Sequence, residues 1–187
     1  MEFQNLIEKR RSVRKYAEGN TVTKDEILSM IKAAQEAPSW KNSQTGRYYC
    51  IMDTKDVDQF RRECLSEMNA GKCENAVLLV STFVHNRAGF QKDGTADNEL
   101  GNGWGCYDLG LQNENLILKA EELGYGTLIM GIRDADKISI SDHRDGGHAR
   151  DSEIRVSPPP APVYVRTGQT ATGREIFFTI QAKKVCK

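Results

Sequence analysis

The chain has 187 residues, long enough for one domain with a substantial buried core. Lys+Arg and Asp+Glu both number 26, so the formal charge is zero, and composition offers no basic footprint for nucleic acid or an anionic membrane surface. The N-terminal stretch MEFQNLIEKRRSVRKY lacks the apolar core of a secretion signal, and no apolar run approaches the length of a membrane span, so a soluble, cytoplasmic protein is expected.

Leu6 and Ile7 open a short helix that ends near the basic cluster Arg10, Arg11 and Arg14. Thr23 and Glu26 form a T-x-x-E capping box ahead of Ile27, Ile31 and Ala34 at helical spacing. This second helix is expected to stop at Ala37-Pro38, because the residue before a proline avoids the helical region. The pattern then predicts a strand over 48–52, a polar helix over 57–68, and a buried strand over 76–84, where AVLLVSTFV is almost continuously apolar. Residues 86–103 read as a polar, glycine-bearing surface loop. Gly101-x-Gly103-x-Gly105 lacks full G-x-G-x-x-G spacing and follows no strand, so it reads as a loop before a helix rather than a dinucleotide site. A long helix over 104–123 places Leu109, Leu116, Ala120 and Leu123 on one face, with Gly124 set for a left-handed C-cap. A strand over 127–132 follows. Strands separated by helices without a regular βαβ repeat indicate an α+β fold of packed layers.

Past residue 132 the character changes. No leucine follows Leu128, and four of the five prolines lie between Pro158 and Pro162. Residues 139–155 show no sustained apolar period, while Val163 to Val165 and Ile176 to Ile180 are candidate strands. The tail 138–187 has too little apolar content to build a core of its own, so it is not read as an independent domain. The five cysteines form no CxxC pair and are odd in number, which favours reduced thiols over a disulfide framework or structural zinc. His143 and His148, with Asp142, Asp145 and Asp151, fit no standard zinc spacing, and no metal is expected. His85, at a strand end, reads as structural.

Three segments carry candidate chemistry. Arg10-Arg11-Ser12-Val13-Arg14 gathers guanidiniums and a hydroxyl that suit a phosphate and polar carbonyl edges, and is equally a solvated helix end. Pro38-Ser39-Trp40-Lys41-Asn42-Ser43-Gln44 offers hydroxyls and amides to a heteroaromatic rim, and is equally a polar turn. Gly124-Tyr125-Gly126-Thr127-Leu128-Ile129-Met130-Gly131 is a helix end running into an apolar strand. Its glycines would admit a ring close to the backbone, although a C-cap plus a core strand accounts for it as well.

In this order and spacing, RRSVRKY, APSWKNSQ and YDLGLQNENLILKAEELGYGTLIMGIRD resemble the nitroreductase family. The likeness runs from residue 1 to about 137 and marks 1–137 as an FMN-binding domain. It implies a layered sheet flanked by helices in an intertwined homodimer, with FMN held non-covalently at the subunit boundary. Arg10, Ser12 and Arg14, with Arg11 among them, match the motif that holds the flavin pyrimidine edge, ribityl chain and phosphate. Pro38, Ser39, Trp40, Lys41 and Asn42 match the loop that the partner subunit lays over the site, and Gln44 belongs to the same motif. Leu128, Ile129, Met130 and Gly131 match the strand that passes the ring, with the backbone amides of Met130 and Gly131 near N5. Some relatives carry an acidic residue where Met130 stands. Asn69 and Lys72 are further candidate flavin contacts.

The resemblance also implies a ping-pong passage of two electrons from NAD(P)H to a nitroaromatic, quinone, enone or free flavin. The redox chemistry is the flavin's, and no side chain need be a nucleophile or general base. Arg10 near N1 and O2 would stabilise the anionic reduced ring. After the GIRD-like segment the family continues with a short helix, a strand of the type V-x-x-V-I-A-x-G-Y and a basic motif with further phosphate anchors. None of these is recognisable here. Arg166, Arg174 and Lys183 are the late basic residues. Either the tail has diverged, with one of its two candidate strands standing in for the missing one, or the reading frame shifts by one base near codon 138. A flavin-binding relative with little turnover is the alternative function.

Overall fold

The computed structural model describes residues 2–18, 22–134, 137–145, 148–156, 163–165 and 176–182. Helix α1 covers Phe3–Lys9, and α2 covers Lys24–Gln35. The expected capping box starts α2: Thr23 Oγ1 accepts from the Glu26 N–H at 3.3 Å, and Glu26 Oε2 accepts from the Thr23 N–H at 2.9 Å. Strand β1 covers Gly46–Ile51 and β2 covers Val77–Phe83, every residue of which is buried.

The polar helix anticipated over 57–68 divides in two. Asp53 caps α3 (Thr54–Cys64) through the N–H groups of Lys55 and Asp56, Leu65 turns extended, and the short α4 (Glu67–Ala70) follows. The long helix α5 covers Gly103–Glu122, so Gly103 and Gly105 lie inside it rather than in a preceding loop. Gly105 is there for space: a Cβ on it would lie 2.2 Å from the Phe83 ring. Gly124 takes φ +89 after α5, the left-handed conformation that ends a helix, and β3 (Tyr125–Met130) begins at once.

Four strands form the main sheet in the order β1-β2-β7-β3, all antiparallel, with β7 covering Ile176–Ala182. The tail therefore supplies an interior strand: Phe178 pairs with Leu79 on one side and with Ile129 on the other. A second sheet joins β4 (Ile138–Asp145), β5 (His148–Val156) and β6 (Val163–Val165). Sequence reading found no element in 139–155. An antiparallel pair is closed by backbone hydrogen bonds and needs no apolar period.

Alternation along β1 and β2 builds two cores, one on each face. Tyr48, Cys50, Val77, Leu79 and Phe83 pack with Ile27, Met30 and Ala34 of α2 and Leu109, Leu116 and Ala120 of α5. Tyr49, Ile51, Leu78 and Val80 pack with Val57, Phe60 and Cys64 of α3 and with Leu128 and Met130 of β3. Each fully buried leucine contributes about 1.5–3 kcal/mol. Helices thus cover both faces of the sheet. Among the described residues no helix is long and apolar enough to cross a membrane.

Candidate functional site

The basic segment is fastened to β3. The Val13 N–H donates to the Thr127 carbonyl at 2.9 Å, and Ser12 and Thr127 form a parallel bridge. Gly126 makes this approach possible, because a Cβ there would lie 2.6 Å from Val13 Cγ2. Tyr16 closes the turn by donating its hydroxyl to the Val13 carbonyl at 2.7 Å, and burial raises its phenol pKa. Arg11 Nη1 donates to the Arg10 carbonyl and Arg14 Nη1 to the Ser12 carbonyl. No salt bridge among the described residues engages Arg10, Arg11 or Arg14, so their charge is available to an anion.

Along β3 the side chains alternate. Leu128 and Met130 point into the core, while Ile129 is 53% exposed, and Ile132 beyond the strand is 61% exposed. Leu128 and Met130 can therefore meet a ligand only through their backbone, whereas Ile129 offers an apolar face. Gly131 is exposed, and a Cβ on it would meet nothing within 4 Å. The strand's end is held from below: Asn69, buried in α4, donates its amide to the Ile132 carbonyl at 3.1 Å. Cys73 Sγ lies 3.5 Å from Met130 Sδ, and burial pushes that thiol up to about 12. Half-buried Lys72 stands between Asn69 and Cys73 in sequence, on a 3-10 turn over Gly71–Cys73. The two minor candidates, Asn69 and Lys72, thus belong to the same neighbourhood as β3, with Asn69 positioning its end.

The 38–44 loop sits elsewhere, against the start of α5. Lys41 and Asn42 of its Trp40–Asn42 3-10 turn, and Gln44 beyond it, take φ +48, +52 and +49, left-handed conformations that cost a non-glycine residue about 1–2 kcal/mol. Long-range contacts hold it. The Trp40 N–H donates to Asp108 Oδ2 at 2.9 Å, Trp40 Nε1 donates to Asp97 Oδ2 at 3.1 Å, and Lys41 Nζ reaches both Asp97 oxygens. The Trp40 ring packs on Trp104 with centroids 4.2 Å apart. Within the loop, the Gln44 N–H donates to Ser39 Oγ. Lys41 holds the Asp97 carboxyl below the usual range, whereas burial raises that of Asp108.

Within one chain the structure thus brings Arg10–Arg14, β3, Asn69 and Lys72 together and anchors 38–44 near the other end of α5 from Gly124. Sequence reading passed over Asp97, Asp108 and Trp104, which hold the loop from residues 57 to 68 positions away. The available signal was an aspartate one residue before Leu109, which the helical period already placed on the packed face. Two clefts open beside the loop. One, of about 540 Å³, runs between Trp40–Ser43 and the segment from Asn86 to Gly94. The other, of about 680 Å³, lies between the end of α2 and β1 and includes Gln44, Arg47 and Gln112. Cys50, Cys64 and Cys73 are buried and Cys106 is exposed, with no disulfide among them. His85 stacks on Phe83 with centroids 4.7 Å apart. The side chains of His143 and His148, and all of Arg166, Arg174 and Lys183, lie outside the described residues.

Comparison with known proteins gives a consistent likeness. The model of the nitroreductase family matches residues 7–143. MhqN of Bacillus subtilis (strain 168), provisionally named an NAD(P)H nitroreductase, is 30% identical over 79 residues, 42% of this chain. The match spans 38% of that relative's length. A BluB-like flavoprotein from Clostridium difficile 630 superposes with TM-score 0.53 at 29% identity, covering 70% of this chain and 74% of that one. An oxidoreductase containing FMN superposes with TM-score 0.53 at 27% identity, covering 68% and 62%.

Proposed function

Because the chain belongs to the nitroreductase family, we propose that it is an FMN-dependent oxidoreductase passing two electrons from NAD(P)H to nitroaromatic, quinone or related acceptors. One observation carries this reading. Three guanidiniums without carboxylate partners among the described residues are stitched by the Val13–Thr127 hydrogen bond beside a strand whose end is open at Gly131. That donor set fits FMN: cations and the Ser12 hydroxyl for phosphate and ribityl oxygens, the outward backbone N–H of Gly131 for the ring edge, and Ile129 for its apolar surface, while the Met130 backbone faces Phe177 of β7.

FMN, when bound, supplies a two-electron carrier that can be reduced by a nicotinamide and reoxidised by an acceptor in turn. The chain's own part is orientation and charge. Arg10 would stabilise negative charge on a bound, reduced ring, Arg14 would serve the phosphate, and Lys72 would be a further contact to the flavin. The 38–44 loop, anchored away from the basic segment, would complete the site of a second copy, so the reading includes a homodimer. Residues 1–137 form the flavin-binding part in this account. Residues 138–187 add β7 to its sheet without folding alone. Buried thiols fit a reducing cytoplasm.

Titrating the purified protein with FMN and then adding NADH or NADPH without oxygen tests the reading. A yellow protein bleached by the nicotinamide supports it. One that stays oxidised is a binder without turnover, and one that takes up no FMN contradicts the assignment.

A further inference from the structure

The cleft beside the 38–44 loop has a chemistry the flavin reading does not use. Its walls bring together two aromatic rings, Trp40 and Phe90, and three cations, Lys41, Arg87 and Lys92, and no carboxylate among the described residues lines it. Asp97 is nearby but is committed to Lys41 and to the Trp40 indole. Two of the cations, Arg87 and Lys92, form no ion pair among the described residues. Arg87 also lies close enough to half-buried Arg47 to contribute, after burial itself, to lowering that guanidinium's pKa. Among the described residues, every charged side chain lining the cleft is a cation.

Its walls are built rather than loose. On one side stands the strained 40–44 backbone, fixed by Asp97 and Asp108. On the other, Asn86 is clamped to Asn102 by two hydrogen bonds of 2.8 and 3.0 Å. Gly89 sits where a Cβ would lie 2.6 Å from the Trp104 ring, and its carbonyl accepts from the Asp97 N–H at 2.7 Å. The Gln91 N–H reaches the Thr95 carbonyl at 2.8 Å. Walls ordered in advance spare a ligand the cost of ordering them. About 540 Å³ suits a compound of one or two rings, the aromatic walls suit a flat apolar body, and the cations suit an acidic group upon it.

We propose that this cleft seats the carboxylate-bearing end of an aromatic electron acceptor, so that the protein favours arene carboxylates over neutral arenes of the same shape. The proposal rests on the flavin reductase reading. Trp40 and Asn42 belong both to this wall and to the loop assigned to the partner's flavin, so in the proposed dimer the cleft would adjoin the flavin site. Arg87 and Lys92 are specificity residues: they hold the acid group and take no part in electron transfer.

Two readouts test this on the full-length, FMN-loaded protein. In steady-state turnover, kcat/KM for 4-nitrobenzoate should exceed that for 4-nitrobenzamide by about tenfold or more, the worth of one hydrogen bond to a charged group. The ratio should fall towards one in Arg87→Gln/Lys92→Gln, where the two cations not paired to Asp97 are lost. Separately, 4-nitrobenzoate should quench the fluorescence of the stacked Trp40 and Trp104, and the double variant should weaken its Kd by the same factor. An equal preference in the wild type, or a ratio and Kd untouched by the double substitution, overturns the proposal. So does a variant whose relative use of NADH and NADPH changes while its acceptor ratio is kept, since the cleft would then belong to the donor. If neither nitroarene is turned over yet 4-nitrobenzoate still binds and the variant still loses it, the reductase reading fails and the binding site stands.

Discussion

Val13 and Thr127 are joined by a backbone hydrogen bond of 2.9 Å that makes the basic N-terminal segment an outrigger of β3. Everything assigned to the first half of the site follows from that bond. It sets Arg10 and Arg14 on either side of Val13 beside a strand whose neighbouring residue, Gly126, has no side chain to push them off.

Gly126→Ala places a Cβ 2.6 Å from Val13 Cγ2 and 2.9 Å from Val13 Cβ. Those atoms sit close to the backbone and cannot swing away as a long side chain would. The expected outcome is a loss of about 1–3 kcal/mol in stability, as for other overpacked positions, together with weaker FMN binding. Thermal melts and a flavin titration of the variant check both.

Asp108 is buried and bonds the Trp40 N–H, so Asp108→Ala leaves that donor unsatisfied at a cost of about 1–3 kcal/mol. Asp108→Asn keeps an acceptor for it and should cost less. The pH dependence carries a definite sign. Burial raises the folded-state pKa of this carboxyl, so the folded protein binds the proton more readily than the unfolded chain. Wild-type stability from this group is fully present below the ordinary carboxylate pKa and declines as pH rises through the raised folded value. Asp108→Asn removes that slope, and melting temperatures of the two proteins compared across the acid range should show the variant gaining on the wild type as pH increases.

Glu26 has the opposite sign. The Thr23 backbone hydrogen bond, and after it a bond to the Tyr125 hydroxyl, depress its pKa, and burial holds the Tyr125 phenol up at about 12. Its contribution is present above the unfolded carboxylate pKa and vanishes as pH falls through the folded value. Glu26→Gln should therefore melt below the wild type at neutral pH and level with it in acid. Thr23→Ala, which removes the cap itself, should cost about 1 kcal/mol at either pH.

Truncation before Ile176 removes β7 and leaves β2 and β3 with no partner between them. The truncated chain should show no cooperative thermal transition. A shortened protein that melts cooperatively and binds FMN would mean that the first 137 residues suffice without the tail.

Much of the first half was legible because its signals are local. The Thr23-x-x-Glu26 cap, the continuous apolar run of β2 and the glycine after α5 each report a backbone requirement within a few residues. The second half was not. Polar alternation in β4 and β5 carries no apolar period, and the seat of Ile176–Ala182 between β2 and β3 depends on pairings about 50 and 100 residues distant in sequence, which no window reveals. The site divides in the same way. Its three segments could be read from motifs, but the aspartates that hold the 38–44 loop could not, since their partners lie on other elements. The period-2 alternation of Leu128, Ile129 and Met130 was readable, and it separates the exposed Ile129 from its two buried neighbours.

In the proposed dimer, one site draws its cations from one chain and its covering loop from the other. Mixing separately inactivated chains tests this most directly. Arg14→Glu and Asn42→Asp, each unable to hold FMN alone, should regain binding when unfolded and refolded together. In a two-fold dimer every mixed pair contains one intact site, so about a quarter of wild-type FMN capacity is expected from random pairing. A mixture that binds no more FMN than its separate components would place both segments at work within a single chain and contradict the account.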